Sequence, residues 1–416
     1  MEHRRAGTRL PYRLTAMYLT HLSLTDFRIF SRLDKEVPQK ALILVGDNAQ
    51  GKTSLLEAIY YLSALDSFHA GHTRELINFT AQEKDLAVSR IVGEYVKGGR
   101  SHQLEVRIIK DTNTNGQAYL RKEVLLNGRS EKITSLIGHF NAVLFLPHML
   151  GMITGSPGER RRYLDLTISQ VDPLYNQHLS EYNKAITQRN ALLKQLAERG
   201  GDPDQLAYWD EKVVQSGSYL VFARIQAIRE LESQAALIHQ ELTRGEEVLR
   251  LQYLPAFDPL PNPPGQIELP LRSSVDRSGI PIEDIKVRFR EQLLETRRQE
   301  IIRGVTTIGP HRDDLAFLSN SISLGTYGSR GQIRTTLLAI KMAEIRWFKD
   351  KTGHWPVLLL DEVLAELDDS RRGDLLERLT LTQQSFLTTT DDSLFTPEFK
   401  SASQIWRIEG GRLVQS

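Results

Sequence analysis

The chain has 416 residues, with 53 Lys plus Arg against 52 Asp plus Glu and no cysteine. That balance leaves no strong overall field, so any nucleic-acid contact must come from a local basic patch. The absence of cysteine excludes disulfides, cysteine zinc sites and thiol catalysis and points to a reducing, cytoplasmic setting, while the length predicts two compact lobes or one domain with a large insertion.

Residues 1–16, MEHRRAGTRLPYRLTA, are basic without a continuous apolar core, so they do not read as a signal peptide. They predict a disordered leader, or a start placed upstream of the fold, which opens at Met17. MYLTHLSLTDFRIF alternates like a strand, and ALILV (41–45) is apolar throughout, as in a central strand. A glycine turn leads into a helix with Leu55, Leu56, Ile59 and Leu62 on one face. Alternation over 86–127, ending at Asn127-Gly128, predicts an antiparallel layer with a hairpin. Beyond Pro147 the spacing is helical over 172–198 and 205–243, with a seam too irregular for a long coiled coil. A proline-bearing connection (254–281), a charged helix (about 283–303) and a second apolar strand, PVLLLDE, complete the pattern. The expected division is an α/β head in two parts, 17–150 and 305–416, around a helical lobe, 151–304. No apolar run is long enough to cross a bilayer, and no membrane partner is expected.

GDNAQGKT (46–53) fits the P-loop pattern, with a strand before it and an amphipathic helix after it. Gly46 and Gly51 let the backbone curl its N–H groups toward phosphates at a helix N-terminus. Asp47, Asn48, Ala49, Gln50 and Ser54 complete the candidate nucleotide-binding run, Asn48 and Gln50 through their backbone amides. Lys52 would reach the β- and γ-phosphates and Thr53 would ligate Mg²⁺. In PVLLLDEVLAELD (356–368), Asp361 can hold the metal's shell and Glu362 can orient or deprotonate water. An acidic pair at a strand end can also merely cap a turn; the P-loop in the same chain favours the catalytic reading. In YGSRGQ (327–332), Ser329, Gly331 and Gln332 open a helix with Ile333, Leu337, Ile340 and Ile345 on its apolar face. Alone it reads as a plain serine N-cap with a glycine turn; the order P-loop, glycine-rich helix start, acidic strand end is the layout of an ABC-type ATPase.

These segments, with LTDFRIF (24–30), GSPGERRRYLD (155–165), TTIGPHRDDL (306–315) and TTTD (388–391), resemble the RecF family. That family is the DNA-repair branch of ABC/SMC-type ATPase heads. The resemblance implies an ATP-dependent dimer with shared sites. Lys52, Thr53, Asp361 and Glu362 of one subunit would hold MgATP, and Ser329, Arg330, Gly331 and Gln332 of the other would close on the γ-phosphate. Glu366 and Asp368 resemble the loop that crosses the dimer contact, and Arg28 an arginine near the nucleotide. The resemblance further implies binding of single- and double-stranded DNA at gaps and junctions, RecA loading with RecO and RecR partners, and a place in the SOS response.

Arg330 departs from the common LSGGQ form in the manner of RecF proteins, and His148 stands where that family carries an acidic residue. TTTD lacks the switch histidine of transporter ATPases, so slow, switch-like hydrolysis is expected. Arg160–Arg162, Arg297–Arg298 with Arg303, and His311–Arg312 are candidate phosphate contacts on DNA, though any one cluster taken singly reads first as a solvated or ion-paired helix face. A transporter nucleotide-binding subunit would show a switch histidine and a short insertion. An SMC-like structural clamp would need heptads sustained over a far longer arm.

Overall fold

The computed structural model describes residues 16–112, 118–260, 276–380 and 382–414. The expected leader up to residue 15, positions 261–275 of the proline-bearing connection, and the His148 side chain lie outside the described residues. Ala16 is buried, and its carbonyl accepts the Gly98 N–H at 3.1 Å.

Contacts divide the chain into one unit of residues 1–147 with 348–416 and another of 148–347. The second break falls inside the helix Arg330–Thr352. Within the second unit, strand Leu249–Leu254 is antiparallel to Asp314–Ser319, Asp314 facing Leu254, which ties the segment after 305 to the helices before it.

The first unit holds two sheets. One is antiparallel, in the order Phe30–Glu36, Met17–Phe27, Leu86–Lys97, Arg100–Thr112, Ala118–Leu126, Arg129–Glu131. Its Asn127-Gly128 turn has φ of 51° and 80°, the paired positive values of the expected hairpin. The other runs Arg412–Val414, Gln404–Glu409, Ala41–Val45, Ser385–Thr389, Val357–Asp361, Ala142–Phe145, and is parallel except at Arg412–Val414. Ile43, Leu359 and Phe386 are fully buried there, as strands covered on both faces must be.

Helix Lys52–Ala64 packs against strands of both sheets. Its burial therefore extends beyond the expected apolar face, taking in Lys52, Glu57 and Tyr61 as well. Gly93 permits the close approach: a Cβ there would lie 2.4 Å from Leu62 Cδ1.

The second unit is built on helices Pro157–Ser169, Pro173–Arg199 (27 residues), Ala207–Leu242 (36 residues) and Ile282–Arg303. Asp172 caps the second of these by accepting the Leu174 N–H, with Pro173 in the first turn, where its missing N–H costs nothing. Gly217 lets the two long helices meet, since a Cβ would come within 2.8 Å of Tyr182.

Candidate functional site

The P-loop leaves strand Ala41–Val45 and is held on three sides. Gly46 has no room for a side chain, because a Cβ would sit 2.4 Å from Ile408 O. Gly51, at φ 111°, would strike Ile29 Cγ2 at 2.8 Å. Gln50 is clamped by the terminal hairpin: Gly410 N–H donates to its Oε1 at 2.6 Å and Gly411 N–H to its backbone oxygen at 3.0 Å. Ala49 also takes a left-handed φ of 63°, so the Asp47–Gly51 turn is strained into a tight curl at the helix N-terminus.

Four of the expected residues come together there. Lys52 is buried, and its ammonium donates to Gly46 O (2.7 Å) and Asp47 O (3.0 Å) and pairs with Glu362 Oε1 (3.3 Å). Thr53 Oγ1 lies 3.0 and 2.9 Å from the two oxygens of Asp361. Asp361 is buried at the end of Val357–Asp361, while Glu362 turns out of the strand at φ 51° and keeps its side chain 38% exposed. One carboxylate and one hydroxyl form a hard-oxygen donor pair that suits Mg²⁺ completed by phosphates and water.

Sequence reasoning missed Thr388. Its hydroxyl donates to Asp361 Oδ1 at 2.7 Å and accepts the Glu362 N–H at 2.9 Å, so one buried side chain orients both acidic residues. Parallel pairing of Ser385–Thr389 with Val357–Asp361 sets Thr388 opposite Asp361, a register that the sequence alone does not signal.

Arg28 does not reach out as a free cation. It forms a bidentate pair with buried Glu57 at 2.7 and 2.8 Å and donates to Glu75 O at 3.1 Å, which braces the P-loop helix. Ser67 Oγ donates to the same carboxylate.

The signature segment stands in the second unit. Ser329, Arg330 and Gly331 are exposed. Ser329 Oγ accepts the Gln332 N–H at 3.2 Å, and Gln332 Oε1 accepts the Ser329 N–H at 3.0 Å, a reciprocal cap. Gln332 Nε2 donates to Glu247 Oε1 at 3.1 Å. Of the expected apolar face, Ile333, Ile340 and Ile345 are buried and Leu337 half-buried. Glu366 and Asp368 are exposed after the acidic strand, and Asp368 pairs with Arg371 at 2.6 Å. The Arg371 backbone N–H, more than its charge, holds the Asp368 carboxyl below its usual range.

Several arginines expected to face DNA are committed internally. Arg160 makes a bidentate pair with Asp314 at 2.6 and 2.9 Å, Arg161 donates to Asp313 O at 2.8 Å, and Arg312 donates to Thr306 O at 3.2 Å. Arg297 binds Asp204 and Asp210. Behind them, buried Arg224 reaches Asp165 at 2.8 Å, Asp313 at 3.1 Å and Pro310 O at 2.6 Å. GSPGERRRYLD and TTIGPHRDDL are therefore two halves of one structural ion-pair network. Arg298 and Arg303 remain exposed.

The family model described as "RecF/RecN/SMC N terminal domain" matches residues 18–410. A protein of Chloroflexus aurantiacus named "DNA replication and repair protein RecF" is 38% identical over 406 residues, covering 95% of this chain and 99% of its own. The like-named Bacillus subtilis protein is 35% identical over 400 residues, covering 96% and 100%. This chain belongs to the RecF family. A solved structure, "Structure of the recombination mediator protein RecF-ATP in RecFOR pathway", matches the RecF fold seen here at a TM-score of 0.82 and 28% identity over the whole of both chains. The ABC/SMC-type head, rather than a transporter subunit, is thus the fold class. Among the described residues no helix is long and apolar enough to cross a membrane.

Proposed function

We propose that this chain is an ATP-operated switch of DNA replication and recombinational repair that dimerises on MgATP. The observation that carries the proposal is the meeting of Lys52, Thr53, Asp361 and Glu362 at the mouth of one P-loop. The ATP named for the similar solved RecF chain supports the same ligand here.

Lys52 is occupied by two carbonyls and Glu362. Phosphate oxygens would take over as its partners and release Glu362, which then accepts the proton of a positioned water. Thr53 and Asp361 would hold Mg²⁺, which when bound neutralises charge developing on the β- and γ-oxygens. The exposed Ser329–Gln332 segment of a second copy would close the site. Without a switch histidine, turnover is slow, as a clamp requires. Gaps and single-strand/double-strand junctions of DNA are the substrates this reading assigns, with RecO, RecR and RecA as partners, a role in the SOS response, and a cytoplasmic location.

Light scattering with and without ATP tests it. Wild-type chain forms a dimer with ATP, Ser329→Arg stays monomeric while still binding ATP, and Glu362→Gln holds the ATP dimer with turnover down about a hundredfold. Normal dimerisation of Ser329→Arg overturns the shared site. Salt-dependent binding to gapped DNA, measured with and without ATP, tests the substrate; its absence overturns the repair reading.

A further inference from the structure

We infer that Glu247 is a positioning residue for the signature segment, an assignment that rests on the shared-site reading above. Glu247 precedes strand Leu249–Leu254, far from Gln332 in sequence, yet its carboxylate accepts from Gln332 Nε2 at 3.1 Å and from Ser319 Oγ at 2.6 Å. It is only 19% exposed. One turn along the signature helix, Thr336 Oγ1 lies 3.2 Å from Nε2 of fully buried His239, and that nitrogen lies 3.8 Å from Glu247 Oε2. The first two turns of the helix are thus fastened at Gln332 and Thr336.

The chemistry of a carboxylate makes this more than packing. An ionised carboxylate only accepts, so it fixes which end of the Gln332 amide faces it. Nε2 must point to Glu247, and Oε1 must then point to the Ser329 N–H, which is the bond observed at 3.0 Å. A flipped amide would set an oxygen against a carboxylate and an NH₂ group against an N–H. Glu247 therefore fixes the amide that holds the Ser329 backbone, while Ser329 Oγ accepts from Gln332 N–H and keeps its own proton for an incoming phosphate oxygen. Ordering this loop before the subunits meet removes an entropic cost from dimerisation.

The experiment measures the ATP concentration giving half-maximal dimer by light scattering, and ATP affinity of the monomer at protein concentrations too low for dimerisation. Glu247→Ala is expected to raise the first about tenfold, the loss of one charge-assisted bond, and to leave the second unchanged. Glu247→Gln, whose amide oxygen still accepts from Gln332, restores dimerisation. Glu247→Ala combined with Gln332→Ala costs no more than Gln332→Ala alone, because Glu247 acts through that side chain. Dimerisation of Glu247→Ala at the wild-type ATP concentration, or additive effects in the double variant, overturns the assignment. Should Glu247→Ala fail to fold, Glu247→Asp serves, its shortened carboxylate unable to span Ser319 and Gln332. It is expected to show the same shift, and wild-type dimerisation again overturns the assignment. Ser329→Arg separates the two readings. If it dimerises normally the shared site falls, whereas if it is blocked and Glu247→Ala is not, only the role of Glu247 falls.

Discussion

At Thr388 one hydroxyl answers two demands, donating to Asp361 Oδ1 and accepting the Glu362 N–H. Both bonds are short, and a methyl group in place of the hydroxyl can make neither. Thr388→Val preserves the shape but leaves a carboxylate lone pair and a backbone N–H unmatched, at about 1–3 kcal/mol. The loss falls on the orientation of the two acidic residues, not on the P-loop that grips phosphates. Steady-state turnover across a Mg²⁺ titration is therefore expected to show kcat lowered about tenfold or more, a higher Mg²⁺ requirement and a near-normal KM for ATP, with Thr388→Ser recovering most of the rate. A change confined to KM would place the hydroxyl's role in nucleotide grip instead. From sequence, TTTD serves as a family motif and for the histidine it lacks; that its first threonine, Thr388, faces Asp361 is a matter of strand register, which single-chain periodicity does not encode.

Among the elements, helix Lys52–Ala64 shows how the two sheets of the first unit depend on a small residue. Gly93 faces Leu62 Cδ1 at 2.4 Å and Leu19 Cδ1 at 3.1 Å from where its Cβ would be. Gly93→Val forces side chains into an already packed space and is expected to destabilise by about 1–3 kcal/mol. In urea unfolding the midpoint should drop with the slope unchanged, and adding Leu62→Ala should recover part of the loss; full additivity would show that the strain is not at this contact. The helix itself was readable from its P-loop and apolar spacing, and the 127–128 hairpin from Asn-Gly. Several strands were not. Leu249–Leu254 pairs with a partner some sixty residues later, Ala142–Phe145 is four residues long, and Gln404–Glu409 joins Ala41–Val45 across nearly the entire chain. Each owes its existence to a distant neighbour, so local propensity leaves little trace. The P-loop and acidic strand end could be read because their chemistry is contiguous; the arginine motifs could not, because Arg160 and Asp314 find each other only in the fold.

For the whole molecule, acid sensitivity follows from histidines that folding keeps neutral. His311 is pushed from 6.5 down to about 4, chiefly by burial, with the Arg312, Arg161 and Arg189 charges adding to the effect against the Thr306 carbonyl it faces. Tyr182 OH lies 2.6 Å from its Nδ1. His239 is lowered too, again mainly by burial. An unfolded chain takes up these protons as pH falls below about 6.5 while the folded chain refuses them, so stability is lost on acidification through that range. The carboxylates of Glu105 and Asp258, held below their usual range in the fold, act in a separate window. Their contribution stands above the unfolded carboxylate range and fades only as pH falls through it. Between pH 6.5 and 5 the histidine effect therefore dominates, and His311 alone accounts for roughly 1.5 kcal/mol over those 1.5 units. Urea midpoints at pH 7.5 and pH 5 should fall apart for the wild-type chain and draw closer for His311→Gln, which cannot be protonated. The variant should begin less stable at pH 7.5, having changed the bond to Tyr182, so the decisive quantity is the difference between the two pH values. Equal differences in both proteins would mean that His311 is protonated in the fold and that the acid response originates elsewhere.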